Sequence, residues 1–117
     1  MSLMDLKVYS LNTNGLGDQV KRQAVFEKLN KKGAAIYMLQ ETHSTPSLEA
    51  TFKRQFGSND MYFSHGSSNS NGVLTVVSKG YDVNVTNVIN DDEGRFLTMD
   101  IERNGFTYRL GNIYALT

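Results

Sequence analysis

Two stretches organise this sequence: LKVYSLNTN at residues 6–14 and AAIYMLQET at residues 34–42. In each stretch an apolar run ends in a polar triplet. If both runs are parallel strands joined by a helix, the two triplets meet at one edge of the sheet, where open α/β sheets bind ligands. Two amides and a carboxylate at that edge can hold a divalent cation and a phosphate, because hard cations take oxygen ligands.

The segment between the two runs carries helix signals. Asp18 is a suitable N-cap, and Gly33 stands where a glycine commonly ends a helix. We therefore predict a right-handed strand–helix–strand crossover. The composition of both apolar runs favours strands that are buried on both faces, the second of them in the middle of the sheet. The predicted apolar stripe of the helix consists of Val25, Phe26 and Leu29.

The second half of the sequence predicts a short helix and several antiparallel strands. The helix is expected to start at Ser47 and end near Phe56, and residues 64–71 read as an exposed loop. The predicted strands cover residues 61–63, 73–77, 81–85, 96–101 and 106–115. Asn104-Gly105 is a strong hairpin signal between the last two. The fold class is thus α/β, a βαβ unit followed by a largely antiparallel meander.

Composition restricts the classes of function. The 117 residues suffice for one domain, and 12 basic residues balance 12 acidic ones, so any attraction for phosphate must be local. The lack of cysteine excludes disulfides and thiolate metal sites. No apolar run approaches the roughly 20 residues of a membrane span. We expect an intracellular protein with no membrane partner. Met1-Ser2-Leu3, ahead of Met4, resembles a vector-derived start, which leaves residues 4–117 as the domain.

Five short segments, taken in order, resemble the endonuclease/exonuclease/phosphatase superfamily, and within it the apurinic-type endonuclease domain of non-LTR (LINE-like) retrotransposons. They are Leu11-Asn12-Thr13-Asn14-Gly15-Leu16, Leu39-Gln40-Glu41-Thr42-His43, Asn71-Gly72-Val73-Leu74, Gly94-Arg95-Phe96 and Gly111-Asn112-Ile113-Tyr114-Ala115. Each motif is weak by itself, whereas the ordered set is specific and covers residues 4–117. The resemblance implies the N-terminal half of a four-layer DNase I-like sandwich.

The resemblance also implies a reaction and a set of site residues. A parent protein would hydrolyse a phosphodiester bond of target DNA with Mg²⁺ or Mn²⁺ in the nucleus, exposing a 3′ end for reverse transcription. Glu41 is similar to the metal-binding glutamate of the family, and Asn12 to the asparagine near the phosphate and metal. Asn14 stands where many relatives carry an aspartate that holds the metal through water. Tyr114 is similar to the tyrosine that contacts the scissile phosphate. Candidates for binding substrate are Asn14, Gln40, His43 and Arg95.

The sequence departs from the family pattern in two respects. Leu116 replaces a usual proline after Ala115. The later Gly-Asp-x-Asn and Ser-Asp-His segments, which supply the water-activating aspartate, a phosphate-binding asparagine and the catalytic histidine, are absent from residues 1–117, and neither His43 nor His65 occupies a matching position. We therefore expect no turnover from these residues alone. We also expect a homodimer in which a second copy covers the sheet face of Leu97, Met99 and Ile101, or of their alternates.

Simpler structural roles stay open for the same residues. Glu41 can be a solvated turn residue, Asn12 and Asn14 can be turn formers, and Tyr114 can be packing material. The charge of Arg95 is equally explained by an edge strand. Cations of the first helix are expected on its surface, namely Arg22, Lys28, Lys31 and Lys32. The alternative functions are a phosphoesterase for a small molecule or lipid, and a non-catalytic half-domain that associates with itself.

Overall fold

The computed structural model describes residues 6–57 and 59–114, which form seven strands and two α-helices. In chain order the elements are β1 Val8–Asn12, α1 Gln19–Lys32, β2 Ile36–Gln40, a 3₁₀ turn at Pro46–Leu48, α2 Glu49–Phe56, β3 Asp60–Ser64, β4 Val73–Val77, β5 Asn84–Asn90, β6 Phe96–Arg103 and β7 Phe106–Ile113. Neither helix in these ranges is long and apolar enough to cross a membrane. The start at Met1–Leu3 and the departure at Leu116 lie outside the described residues.

The predicted strand–helix–strand unit is confirmed. The Asp18 side chain accepts a hydrogen bond from the backbone N–H of Val20 at 3.2 Å and caps α1, and Gly33 ends the helix with a left-handed φ of 63°. β1 and β2 are parallel, with Asn12 directly beside Gln40 in the register. The two polar triplets therefore begin at the same edge of the sheet.

The strands form two sheets. The first has the order β1-β2-β4-β3, in which β4 runs antiparallel to both of its neighbours. The second is the antiparallel meander β5-β6-β7, whose last hairpin turns at Asn104-Gly105 with positive φ at both residues. The α/β class is confirmed and the meander is correct for β5–β7, whereas β3 and β4 belong to the first sheet.

Two apolar cores lie on opposite faces of the first sheet. Both helices cover one face, where Phe26 and Phe52 pack against Leu39 and Leu74. The second sheet covers the other face. The layers are therefore helix, sheet and sheet. Buried side chains of the second core come from both sheets, among them Ile36, Val73, Leu97, Met99 and Ile101.

This layering corrects the expected dimer face. Leu97, Met99 and Ile101 are each only 1% exposed, because the chain's own first sheet packs against them. The residues that alternate with them along β6 lie on the outer face of the second sheet, and apolar side chains are exposed at one end of that face. Phe96 is 38% exposed and Ile113, its partner in the register, is 65% exposed.

β1 was expected to be buried on both faces, and that expectation is wrong. Its residues alternate between exposed and half-buried, and Val8 is 42% exposed. The reason is the topology: β2 pairs with β4 on its other side, which leaves β1 at the edge of the sheet.

Arg22 was expected on the surface of α1, but it is buried. Its guanidinium donates hydrogen bonds to the carbonyls of Leu16 and Gly17 at 2.8 and 3.2 Å and to the side chain of Gln55. It also lies 5.0 Å from the centre of the Phe52 ring. Burial lowers the pKa of Arg22. The Arg22 side chain therefore connects the loop after β1 to both helices. Because it is buried, it is not part of a DNA-binding surface.

The boundaries of the short helix and of β5 differ from the prediction. The short helix forms a 3₁₀ turn at Pro46–Leu48 before α2 begins at Glu49. The strand predicted at 81–85 begins only at Asn84 and runs to Asn90, with a bulge between Thr86 and Ile89. Asn87 has a φ of 51° inside this bulge, a conformation that alternation of apolar residues does not reveal.

Candidate functional site

The two polar triplets are joined by hydrogen bonds at the edge of the first sheet. The backbone N–H of Thr13 donates to the Gln40 carbonyl at 2.8 Å, and the Thr13 hydroxyl lies 3.0 Å from the carbonyls of both Gln40 and Glu41. The N–H of Gly15 donates to the Glu41 carbonyl at 2.6 Å. The predicted meeting of the triplets is confirmed, and each turn supports the other.

The turn after β2 has an unusual backbone. Glu41 and His43 have φ values of 52° and 56°, in the left-handed region that residues other than glycine seldom adopt. Such conformations persist only where surrounding contacts impose them, and they are frequent at functional sites. The sequence pattern contains no signal for a left-handed glutamate.

Tyr114 lies close enough to Glu41 for the carboxylate to act on its hydroxyl. Burial raises the pKa of Tyr114, and the negative charge of Glu41 and a hydrogen bond to it raise it further. Glu41 and Tyr114, two of the residues that the resemblance assigns to the site, therefore lie near each other.

Asn112 aligns the strands that carry this pair. It is 1% exposed, and its amide donates to the Leu74 carbonyl at 3.0 Å and to the Leu39 carbonyl at 3.3 Å. Its side-chain oxygen accepts a hydrogen bond from Gln40 at 2.8 Å. Asn112 thus ties β7 to β2 and β4, two residues before Tyr114. It belongs to the last of the matched segments, but sequence reasoning did not select it as a functional residue.

The side chain of Gln40 has protein partners for its donors. Besides Asn112, its amide lies 3.1 Å from the Ser10 hydroxyl and 3.1 Å from the Met38 carbonyl. The structure therefore places Gln40 as a supporting residue between the sheets, next to the candidate site.

Asn12 and Asn14 lie exposed beside Glu41 and Tyr114, and we call the surface formed by these four residues the crevice. The side-chain oxygen of Asn12 accepts a hydrogen bond from the N–H of Asn14 at 3.0 Å, which closes a turn. Asn14 has a φ of 52°, and its carbonyl accepts a hydrogen bond from Lys21 at 2.9 Å. Both asparagines therefore act as turn formers, and both side chains remain exposed next to the Glu41 turn.

Arg95 contributes to the site through its main chain. Its carbonyl accepts a hydrogen bond from the N–H of Tyr114 at 2.8 Å. Its exposed guanidinium pairs with Asp91 and Glu93 at 3.0 Å each, and the hydrogen bond to Asp91 is the first cause of its raised pKa. Since two carboxylates balance this charge, a phosphate would have to compete with them for Arg95.

Glycines of the matched segments allow the loops around Glu41 to approach closely. A Cβ atom on Gly15 would lie 2.8 Å from Nδ1 of His43, and one on Gly72 would lie 2.5 Å from the Thr42 hydroxyl. The N–H of Gly72 also donates to the Gly94 carbonyl at 2.8 Å. These segments thus meet behind the Glu41 turn, which explains the need for glycine. His43 packs over Gly15, at the side of the crevice.

The crevice has few groups that could bind a divalent cation. Within residues 6–57 and 59–114, no group of three or more His, Cys, Asp or Glu side chains is arranged to hold a metal ion. The crevice offers one carboxylate, that of Glu41, and amide oxygens. This set fits Mg²⁺, which usually keeps several waters and binds one or two carboxylates together with phosphate oxygens.

No protein-family model matches the sequence. The chain is 34% identical over 114 residues to the "Transposon TX1 uncharacterized 149 kDa protein" of Xenopus laevis, a match that spans 97% of this chain and 9% of that protein. The chain therefore corresponds to a small part of its relative.

Three solved structures share the fold. The AP endonuclease LMAP from Leishmania major has a TM-score of 0.71 at 19% identity, over 93% of this chain and 40% of that one. The Xenopus laevis APE2 catalytic domain has a TM-score of 0.69 at 20% identity, over 93% and 45%. A truncated Caenorhabditis elegans TDP2 has 0.68 at 22% identity, over 96% and 47%. The chain spans less than half of each, and the expectation of one half of a DNase I-like fold is confirmed.

Proposed function

We propose that this chain is the part of a metal-dependent endonuclease that binds the cation and the scissile phosphate. The parent protein nicks target DNA in the nucleus before reverse transcription. The proposal is supported by the half of a DNase I-like fold that the chain forms and by its similarity to a transposon protein. The observation that carries this proposal is that the turns after the parallel strands β1 and β2 are joined, and that Tyr114 lies near Glu41 of the second turn.

Each residue of the crevice has a role in this proposal. Glu41 holds Mg²⁺, or Mn²⁺, with the help of Asn12, and Asn14 acts through water. The cation supplies charge stabilisation at the phosphoryl and leaving oxygens. The Tyr114 hydroxyl donates a hydrogen bond to a phosphate oxygen, and its raised pKa keeps the proton in place at neutral pH. His43 and Arg95 flank the path of the DNA strand.

Tyr114 and the cation share one partner in this scheme. In the structure the Tyr114 hydroxyl lies near the Glu41 carboxylate. A Glu41 carboxylate that held a cation would be a weaker acceptor, and the Tyr114 hydroxyl could then donate to a phosphate oxygen instead. Binding of cation and phosphate at the crevice is therefore expected to be mutually favourable.

Residues 1–117 do not supply the groups that activate water. The site contains one carboxylate and no histidine at a matching position, and a general base is typically worth 10²–10⁴-fold in rate. Those groups are assigned to the rest of the parent nuclease domain. Residues 4–117 are accordingly proposed as one half of that domain.

Metal titration tests the proposal. Amide resonances of ¹⁵N-labelled protein are followed while Mg²⁺ is added, and Mn²⁺ is then used for paramagnetic broadening. We expect changes centred on Asn12, Glu41 and Tyr114 that are lost in Glu41→Gln. The matched control is Glu27→Gln, which removes an exposed carboxylate from α1. Identical titrations for Glu41→Gln and the unmodified chain would refute metal binding by Glu41.

A second assay identifies the substrate class. The parent protein is expected to nick supercoiled plasmid in a reaction that requires Glu41. Hydrolysis of soluble phosphoesters without plasmid nicking would instead indicate a phosphoesterase for small molecules or lipids.

A further inference from the structure

Behind the Glu41 turn, three side chains from three different segments form a hydrogen-bonded row. Ser44 lies after β2, His65 after β3, and Glu49 at the start of α2. Nδ1 of His65 is 3.0 Å from the Ser44 hydroxyl, and Nε2 is 3.0 Å from a Glu49 carboxylate oxygen. The imidazole ring also stacks on Phe63, with ring centres 4.9 Å apart. His65 is therefore held on both nitrogens and on one face.

The row has the residue types of a nucleophilic triad but not the accessibility. Ser44 is 0% exposed, so no substrate carbonyl or phosphate can reach its hydroxyl. The hydroxyl is also 3.2 Å from that of Thr42 and belongs to the packing around the turn. The three residues therefore have a structural role. They can affect the candidate site only through the residues that Ser44 contacts.

Ser44 holds the turn that carries Glu41. Its N–H donates to the Thr42 hydroxyl at 3.3 Å, and its carbonyl accepts a hydrogen bond from the N–H of Gly66 at 3.1 Å. Consecutive residues, His65 and Gly66, thus bind the side chain and the main chain of Ser44. These hydrogen bonds support one end of the segment that contains Glu41 and His43. The left-handed conformations of those two residues persist only where surrounding contacts impose them.

The hydrogen-bond directions select one form of the imidazole. The Thr42 hydroxyl donates to Ser44, which leaves the Ser44 proton to be donated to Nδ1 of His65. Nε2 then carries the proton that is donated to Glu49. An imidazolium would donate from both nitrogens, and the Ser44 hydroxyl would then have to direct its own proton away from His65. The neutral Nε2–H form satisfies every donor in the row.

We propose that His65 is a positioning residue that holds the Glu41 turn in its cation-binding geometry through Ser44, with Glu49 fixing the orientation of the imidazole. The purpose of the positioning rests on the proposed function. The mechanical link between His65 and the turn does not depend on it. Partners behind the groups that bind a metal commonly change its affinity 10–100-fold when they are removed.

Two substitutions of His65 distinguish the roles of its two ring nitrogens. In His65→Asn an amide group can take the place of Nδ1 and keep the bond to Ser44, whereas in His65→Gln it can take the place of Nε2 and lose that bond. We expect His65→Gln to weaken Mn²⁺ binding about tenfold and to speed hydrogen exchange at the amides of Thr42, His43 and Ser44. His65→Asn should stay close to the unmodified chain. Lys53→Ala is the control, because Lys53 pairs with Glu49 at 3.1 Å without touching Ser44.

Three results would overturn the inference. The first is unchanged exchange at the turn in His65→Gln. The second is an equal acceleration at all amides in both variants, which indicates general destabilisation. The third comes from ¹⁵N resonances of the imidazole in the unmodified chain, if they show a protonated Nδ1. The exchange and tautomer measurements need no metal, so a chain that binds no Mn²⁺ would refute the proposed function and leave the role of His65 to be judged by them.

Discussion

At the scale of single residues, the ionisation of Tyr114 reports on Glu41. The pKa of Tyr114 is raised first by burial, and then by the charge of Glu41 and the hydrogen bond donated to it. A folded-state pKa above the ordinary value of about 10 means that this contribution to stability is present below about pH 10 and is lost as the pH rises through the folded pKa. A titration of Tyr114 therefore reports on its interaction with Glu41.

We predict that Glu41→Gln lowers the pKa of Tyr114, because the neutral amide removes the nearby negative charge. The pKa should remain above its ordinary value, since burial is the larger cause. An NMR pH titration of the Tyr114 ring checks this, with Glu93→Gln as the control for an exposed carboxylate that pairs with Arg95. An unchanged Tyr114 titration in Glu41→Gln would contradict the contact.

The glycines next to the site provide a second residue-scale prediction. Gly15 has a φ of 93°, and a Cβ atom there would lie 2.8 Å from the His43 ring, so Gly15→Ala should destabilise the fold by about 1–3 kcal/mol. Gly17→Ala is the matched control, since a Cβ atom on Gly17 meets nothing within 4 Å. Urea unfolding of both variants measures the difference. Equal stability of the two would mean that the turn adapts freely.

At the scale of elements, the site depends on how β7 is aligned with the first sheet. Asn112 of this strand is buried, and Tyr114, the residue after the strand, lies near Glu41. Asn112 makes hydrogen bonds to the carbonyls of Leu39 and Leu74 and to the side chains of Gln40 and Thr75. One buried amide thus connects three strands where the two sheets meet the crevice.

We predict that Asn112→Ala costs about 1–3 kcal/mol of stability, because it leaves buried acceptors on β2 and β4 without their donor. It should also lower the pKa of Tyr114, as the end of β7 loses its alignment with Glu41. Chemical denaturation and the Tyr114 titration measure these two effects. Thr107→Ala, at an exposed position of the same strand, should change neither.

At the scale of the whole molecule, the three layers leave one sheet face open. The register places Ile89, Phe96 and Ile113 on the outer face of the second sheet, with exposures of 53%, 38% and 65%. The centre of that face is polar, since Arg109 bonds to Asp100 at 3.0 Å and to Thr98 at 2.8 Å. The apolar area is therefore concentrated near the Phe96 end.

The homodimer stays a prediction, now through this outer face. Sedimentation equilibrium of residues 1–117 at micromolar concentration should give a mass above 13.1 kDa that depends on concentration. Phe96→Ser should shift the equilibrium toward monomer, because it removes exposed apolar area. A monomer at every concentration would rule the dimer out.

Residues 1–117 alone should not nick plasmid DNA above background in the presence of Mg²⁺. In the proposed function the crevice supplies a cation ligand and a phosphate donor, whereas the groups that activate water are assigned to the rest of the parent domain. Gel assays with supercoiled plasmid measure this. Metal-dependent nicking that disappears in Glu41→Ala would show that the described groups suffice.

Local patterns predicted much of the fold, because their signals lie within a few residues of one another. The cap at Asp18, the end of α1 at Gly33, the parallel pairing of β1 with β2 and the hairpin at Asn104-Gly105 are confirmed. The resemblance then selected Glu41 and Tyr114, which the structure places near each other.

The remaining features depend on contacts between residues that are distant in the sequence. The burial of Arg22, the edge position of β1 and the covering of Met99 follow from how sheets and helices stack, which no local pattern encodes. The same holds for the Ser44–His65 contact. Composition and spacing thus determined the elements and the candidate residues. Tertiary packing determined which of those residues meet, because it alone sets distance and burial.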